Sequence, residues 1–137
     1  MRPYRAAAQH GTIVAVRPIE PTIYHLALAP QWQAATSAPG GYTRSTVGVS
    51  LAEQGFIHCS FADQVQSVAD LFYAGRSDVV LLSIDPELVR AEILVEQVGP
   101  QQFPHIYGPL DPAAVREVRA LVQGPDGRLD AAPPPIA

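Results

Sequence analysis

The run DVVLLSI at residues 78–84 is almost entirely apolar and lies between turn-forming residues. Its length is that of a strand, and an apolar run without polar alternation is typical of a strand buried on both faces. A chain of 137 residues is long enough to bury such a strand in a single core. The fold is therefore expected to place packed structure on both sides of this segment.

The other strand predictions rest on β-rich segments bounded by proline, glycine or aspartate. They are TIVAV (12–16), TIYHLAL (22–28), GFIHCSF (55–61) and AEILVEQV (91–98). The segment FPHIYGPL (103–110) is also expected to be extended, because a proline disfavours helical backbone in the residue before it.

Three helices are predicted from apolar periodicity and end signals. PQWQAAT (30–36) begins at a proline, and DQVQSVADLFYAG (63–75) carries an apolar stripe that includes Phe72. The third, DPAAVREVRALVQG (111–124), would turn its valines inward. The order of elements predicts an α+β domain built around a mixed or mostly antiparallel sheet.

The chain is expected to form one domain at residues 21–123. Residues 1–20 form an N-terminal extension, and residues 124–137 form a Pro-rich tail that we expect to be disordered or to lie on the surface. No apolar window approaches the length of about 18 residues that a membrane helix needs. The N-terminus also lacks the apolar stretch of a secretory signal, so we expect a cytoplasmic protein.

Composition excludes several classes of chemistry. All nine basic residues are arginine, so a Schiff-base lysine, a pyridoxal-phosphate anchor and a P-loop lysine are absent. The lone Cys59 excludes an internal disulfide and every CxxC motif. A net charge of −4 argues against nucleic-acid binding, which needs clustered basic residues. We expect a monomer or weak homo-oligomer that binds neither nucleic acid nor membrane.

Histidines occupy three separate strand-like segments, in IYHLA, GFIHCS and FPHIYGPL. Side chains alternate between the two faces of a strand, so His58 is expected to share a face with Phe56 and Ser60. By the same rule His105 and Tyr107 project together. The simplest interpretation of any one of these histidines is structural, with a hydrogen bond to a backbone carbonyl. Three of them in a chain with four histidines favour a shared pocket.

Other candidate residues are few. Glu96 lies within the strand EILVEQ and is either a buried acid or an exposed strand residue. The Gly-, Pro- and Ser-rich loop at 37–48 is long enough to be functional. Within it, Arg44 is a candidate anion clamp and the adjacent Ser45 a candidate ligand contact.

The same residues also bear on metal binding and on nucleophilic catalysis. Three histidine imidazoles are sufficient for a catalytic Zn²⁺ or Fe²⁺ site with an open position, but no HxH or HxxxH pair is present. Nucleophilic catalysis is weakly supported, because GxSxG is absent and side chains at i and i+2 of a strand lie about 7 Å apart. Cys59 is expected to point into the opposite layer as a small buried hydrophobe.

GFIHCS, a following helix, VVLLSIDP and FPHIYGPL occur in an order that resembles a family of small bacterial proteins of unknown function, marked by GFIHxS and FPHxYGPL. IYHLA and Trp32 match the opening strand and first helix of that family. The similarity covers about residues 22–122. Its members resemble the ADP-ribosyltransferase fold, in which a split, strongly bent sheet holds a nucleotide cleft.

The resemblance implies roles for particular residues. His25 of the first strand would position a dinucleotide and, with Ser60, hold ribose hydroxyls. Tyr107 would stack on a ring, and His58 or His105 would act as an acid or base near neutral pH.

In the transferases of this fold, a late acidic residue stabilises the ribosyl oxocarbenium ion, and the residue here that could match it is Glu96. The expected ligand is therefore nucleotide-like, with NAD as a substrate. A metal-dependent enzyme with a three-histidine site and a non-catalytic interaction domain with structural histidines remain alternatives.

Overall fold

The computed structural model describes residues 5–6 and 15–133. Three helices are interspersed among the strands of these residues, and three short 3-10 turns connect some of the elements. The elements are β1 (Arg5–Ala6), β2 (Ile23–Leu28), α1 (Ala29–Thr36), β3 (Arg44–Thr46), β4 (Val49–Ser50), α2 (Leu51–Gln54), β5 (Ile57–His58), α3 (Val65–Phe72), β6 (Val79–Ile84), β7 (Ile93–Val98), β8 (Gln101–Ile106) and β9 (Val115–Ala120), with 3-10 turns at Ala62–Gln64, Pro86–Leu88 and Pro112–Ala114.

Two larger sheets and one hairpin make up the β structure of the described residues. One sheet has the strand order β2-β6-β9, and the other has the order β1-β7-β8-β5. All pairings in these sheets are antiparallel except that of β1 with β7. Strands β3 and β4 form the separate hairpin. The α+β class and the mostly antiparallel arrangement expected from the sequence are confirmed.

Strand β6 lies at the centre of its sheet and is covered on both faces, as its apolar run predicts. Val80, Leu82 and Ile84 pack into one hydrophobic core, whereas Val79 and Leu81 pack into another. Successive side chains of a strand point to opposite faces, so one strand can contribute to two cores. The first core receives residues of β5, β7 and β8, and the second receives residues of α3 and the C-terminal segment.

The predicted helix at 111–124 is wrong. A 3-10 turn at Pro112–Ala114 leads into strand β9, which pairs with β6 from Ile84↔Val115 to Val80↔Ala120. The three valines expected inside are not buried, with Val122 73% exposed. The central strand β6 needs partners for its buried backbone groups on both edges, and that requirement outweighs the local helical pattern.

The other predicted helices are confirmed with different ends. Helix α3 stops at Phe72, which is 54% exposed instead of facing inward, and Tyr73 is buried in its place. The Tyr73 hydroxyl donates a hydrogen bond to the Leu26 carbonyl at 3.2 Å. The short helix α2 begins at a Ser50–Glu53 capping box.

The strand predictions at 22–28, 78–84 and 91–98 are confirmed by β2, β6 and β7. Most of TIVAV lies outside the described residues, as does His10. In GFIHCSF only Ile57–His58 is assigned as strand.

The C-terminal segment folds against α3 over residues 124–133. Leu129 and Ala131 are buried. The Gln66 side chain accepts a hydrogen bond from the backbone N–H of Ala131 and donates one to the carbonyl of Leu129, at 2.9 and 2.8 Å. Leu129 and Ala131 are therefore part of the second core, whereas the Pro-rich tail was expected to be disordered or to lie on the surface. No helix among the described residues is long and apolar enough to cross a membrane.

Candidate functional site

His58 and His105 meet across the antiparallel pair β5 and β8. The register places them directly opposite each other, where side chains project from the same face about 5 Å apart. The His58 Nδ1 and His105 Nε2 atoms lie 3.3 Å apart. The two histidines of the GFIHCS and FPHIYGPL segments therefore belong to one cluster.

Glu96 of β7 joins this cluster from the other side of β8. Its Oε1 lies 2.9 Å from the Nδ1 of His105, and the Tyr107 hydroxyl donates a hydrogen bond to the same oxygen. The carboxylate is partly enclosed, with 19% of the side chain exposed. The result is one polar network of Glu96, His105 and Tyr107. Strand alternation in the sequence had predicted that His105 and Tyr107 project together.

The hydrogen bonds assign the proton positions in this network. Oε1 of Glu96 accepts from the Tyr107 hydroxyl and from His105, so His105 donates through Nδ1–H and its Nε2 is left as an acceptor. His58 must then donate to that nitrogen through Nδ1–H. The Nε2 of His58 consequently carries a lone pair at the far end of the chain Glu96–His105–His58, which we call the relay.

His58 opens onto a cleft of about 450 Å³ between β5, β8 and α3. Apolar and aromatic side chains cover much of its surface, and the polar groups are amides, hydroxyls and the imidazole. The lining residues are Ser45, Thr46, Gln54, Phe56, His58, Gln64, Ser67, Val68, Leu71, Phe72, Val98, Gln101 and Phe103.

Two phenylalanines enclose the relay. The Phe56 ring stacks on His105 with a centroid distance of 3.9 Å, and the Phe103 ring lies 5.0 Å from His58. Burial lowers the pKa of His58 to about 3, with further contributions from His105 and His25. Burial also lowers the pKa of His105, although Glu96 opposes that shift. Both imidazoles are therefore neutral at pH 7.

His25 lies behind the cleft instead of lining it. The side chain is buried, with Nδ1 2.6 Å from the His58 carbonyl oxygen and Nε2 2.8 Å from the Tyr42 hydroxyl. A carbonyl can only accept, so His25 donates from Nδ1 and Tyr42 donates to Nε2. Both ring nitrogens are engaged, and His25 holds the backbone of His58 in place. This is the structural interpretation that sequence reasoning weighed first.

Of the other residues predicted to contact a ligand, Ser45 lines the cleft, whereas Arg44 and Ser60 do not. Ser45 lines the cleft, and its hydroxyl accepts a hydrogen bond from the His58 backbone N–H at 3.3 Å. Arg44 is exposed and lines a different, shallow groove beside Tyr42. Ser60 is buried outside the cleft lining, although it was expected to share the face of His58.

Ser60 departs from the alternation because β5 ends at His58. The Cys59 N–H still donates to the Pro104 carbonyl of β8 at 3.0 Å, whereas Ser60 exchanges two backbone hydrogen bonds with Tyr24 of β2, at 2.8 and 2.9 Å. Cys59, which lies between His58 and Ser60 in the chain, is fully buried, and burial raises the pKa of its thiol. The prediction that Cys59 is a buried hydrophobe is confirmed.

Sequence reasoning missed the cleft wall formed by α3 and the role of Phe103. A signal was present, because both motifs contain the pattern Phe-x-His, at Phe56–His58 and Phe103–His105. In a paired set of strands, that shared pattern places an aromatic ring beside each histidine on the same face.

The three-histidine metal site is not formed. The nitrogens of His25 are bonded to a carbonyl and a hydroxyl, and His105 is bonded through both nitrogens to His58 and Glu96. Within residues 5–6 and 15–133, no group of three or more His, Cys, Asp or Glu side chains could hold a metal ion.

Replacing Gly41 with alanine should destabilise the protein by about 2–3 kcal/mol. Gly41 has a φ of +75°, and an added Cβ would lie 2.8 Å from the Leu110 carbonyl oxygen. The positive φ contributes about 1 kcal/mol and the backbone contact adds the rest.

Gly48 offers a matched control, because its φ is +74° and an added Cβ would meet nothing within 4 Å. Gly48→Ala should therefore destabilise the protein only through the positive φ, by about 1 kcal/mol. Urea unfolding of both variants measures the difference, and equal losses would contradict the expected contact with Leu110.

Comparison with known proteins was made on sequence and on structure. The crystal structure of protein CC0527 from Caulobacter crescentus is 30% identical, with a TM-score of 0.70 over 80% of this chain and 93% of that chain. Its solution NMR structure is 29% identical, with a TM-score of 0.60 over 79% and 90% of the two chains. Comparison with curated proteins found no match. The sequence model of a family described as "Protein of unknown function (DUF952)" matches residues 26–118, and the chain therefore belongs to the DUF952 family.

Proposed function

We propose that this protein is a small enzyme that acts by general acid–base catalysis, with the Nε2 of His58 as the atom that accepts a proton from the substrate. The observation that carries the proposal is the hydrogen-bonded relay, which runs from a carboxylate through two imidazoles to an open cleft. An oriented imidazole backed by a second group is the arrangement that positions a proton acceptor.

The low pKa of His58 means that a positive charge on its buried ring is unfavourable, and the relay offers a way to remove that charge. A proton added to Nε2 of an isolated buried imidazole would create a desolvated cation. Here the Nδ1 proton of His58 can pass to the Nε2 of His105, and the Nδ1 proton of His105 can pass to Glu96. The end state has neutral imidazoles and a neutral carboxyl group, so the positive charge does not remain on His58. His105 and Glu96 are thereby assigned to the relay that supports His58.

Imidazole ¹⁵N NMR tests the proposal directly. At pH 7 we expect His58 and His105 to be neutral and protonated at Nδ1. Glu96→Gln replaces a pure acceptor by an amide that can also donate, so the Nδ1–H tautomer of His105 should lose population and that of His58 should follow. Glu117→Gln, on the exposed strand β9, is the matched control and should leave both tautomers unchanged. A wild-type His58 protonated at Nε2 would overturn the assignment.

A nucleotide-type ligand such as NAD, in an ADP-ribosyltransferase-like fold, is the second candidate. Its support in the structure is the pair of aromatic rings, Phe56 and Phe103, which offer faces for a planar base in the cleft. Titration with NAD, followed through the histidine ring signals, should shift those of His58 and His105. The absence of any shift at millimolar NAD contradicts this candidate and leaves the tautomer assignment intact.

A further inference from the structure

We infer that the cleft takes an uncharged, largely apolar and planar small molecule that carries one hydroxyl or N–H group. The inference rests on the acid–base site proposed above and specifies its substrate class. It is carried by the uncharged lining of the cleft, by the exposed apolar side chains among that lining, and by the acceptor that the relay leaves on His58.

Charge complementarity is the first argument. None of the residues that line the cleft carries a formal charge. An ionic ligand group that leaves water needs a counter-charge or several strong hydrogen bonds, and otherwise its desolvation opposes binding. Arg44, the cation that the sequence suggested as an anion clamp, lines another groove. The lining therefore disfavours a phosphate or carboxylate and favours a neutral ligand.

The mouth of the cleft supplies the second argument. Leu71, Phe72 and Val98 are exposed by 75%, 54% and 47%, and all three line this one cleft. Single exposed apolar residues are common, but a group of them around a concave site is typical of a surface that a ligand covers. Phe56 and Phe103, which are less exposed, line the same cleft, so its apolar lining suits a flat hydrocarbon or aromatic body.

The polar groups restrict where the ligand can carry its own polar atom. The side chain of Gln64 is engaged, since it accepts from the Phe61 N–H at 2.9 Å and donates to the Gln102 carbonyl at 2.7 Å. The relay leaves Nε2 of His58, a residue that lines the cleft, as an unprotonated acceptor. A hydroxyl or N–H on the ligand would complete that hydrogen bond, whereas an ether or carbonyl oxygen would face it lone pair to lone pair.

Three naphthalene probes with the same ring system test the inference on the full-length protein. They are 2-naphthol, which is neutral and carries a hydroxyl, 2-methoxynaphthalene, which is neutral without a donor, and 2-naphthyl phosphate, which is anionic. Binding is measured by amide and methyl NMR shifts. We expect 2-naphthol to bind at least tenfold more tightly than the phosphate and more tightly than the methyl ether, with shifts centred on Phe56, His58 and Phe103.

Matched surface variants locate the binding. Leu71→Ser should weaken 2-naphthol binding about fivefold or more, whereas Val122→Ser should not, although both side chains are about three-quarters exposed, at 75% and 73%. His58→Asn should abolish the preference of 2-naphthol over its methyl ether. Because Leu71 and Val122 are exposed, neither serine variant is expected to impair folding.

Three results would contradict the proposed substrate class. Equal or tighter binding of 2-naphthyl phosphate overturns the substrate class. Failure of every probe to bind in the cleft also overturns it, as does sedimentation evidence that a second copy of the chain covers the apolar mouth. None of these results changes the imidazole tautomers, so the acid–base proposal is judged separately by the ¹⁵N experiment.

Discussion

Replacing His25 with phenylalanine is expected to lower the free energy of unfolding by about 2–6 kcal/mol. The phenyl ring has a similar shape but no nitrogen, so it leaves the His58 carbonyl and the Tyr42 hydroxyl without the partners they have now, at 2.6 and 2.8 Å. Each buried polar group that loses its only partner costs about 1–3 kcal/mol. The loss follows from the burial of His25, which is only 3% exposed, so water cannot replace the two lost hydrogen bonds.

Urea unfolding at pH 7 measures this loss, and Tyr42→Phe serves as its companion variant. Tyr42→Phe alone leaves the Nε2 of His25 unsatisfied and should cost about 1–3 kcal/mol. In the double variant the hydroxyl is absent, so only the His58 carbonyl is orphaned and the total should be less than the sum of the single losses. A His25→Phe variant within 1 kcal/mol of wild type would show that His25 is not the structural support described above.

Acidification from pH 7 to pH 4 is expected to remove about 3 kcal/mol of stability through His25 alone. Burial lowers the pKa of His25 to about 4 in the folded protein, whereas an unfolded histidine titrates near 6.5. Between these two values the unfolded chain binds the proton more readily. The contribution is therefore complete above pH 6.5 and is lost as the pH falls toward 4. The lowered pKa of His58 acts in the same direction.

The measurement is the free energy of unfolding in urea at pH 7 and at pH 4, for the wild type and for His25→Phe. The variant lacks the titrating group, so its stability should fall by about 3 kcal/mol less over the same interval. Asp70 and Asp78, whose pKa values arginine partners lower, are present in both proteins and cancel in the comparison. Equal pH dependence in the two proteins would contradict the assigned pKa of His25.

The local sequence pattern was sufficient to predict an element and its burial where these depend on the residues of that element alone. The apolar run of β6 predicts burial on both faces, and the two cores that receive its alternate side chains confirm it. The local sequence pattern gave a wrong prediction at residues 111–124, where a helix was expected and strand β9 is found. There, the spacing of Val115, Val118 and Val122 fits a helix face, but pairing with the open edge of β6 made the segment a strand.

The site was only partly accessible to sequence reasoning. His58, His105, Glu96 and Tyr107 were all named as candidates, and face alternation correctly joined His105 to Tyr107. The same rule failed for Ser60, because alternation holds only while a strand continues, and β5 ends at His58. It also could not separate His25 from the cleft, since the two faces of β2 are both buried and differ only in what packs on them.

Sequence by itself thus determined strands β2, β6 and β7 and the absence of lysine chemistry, because each depends on neighbouring residues or on composition. The relay depends on contacts between residues that are distant in the chain. His58 meets His105 only because β5 and β8 are antiparallel in the register that sets them opposite each other, and β7 brings Glu96 to the other nitrogen. Register is decided by turns and by which face is buried, and a one-residue shift would have turned these side chains away from one another.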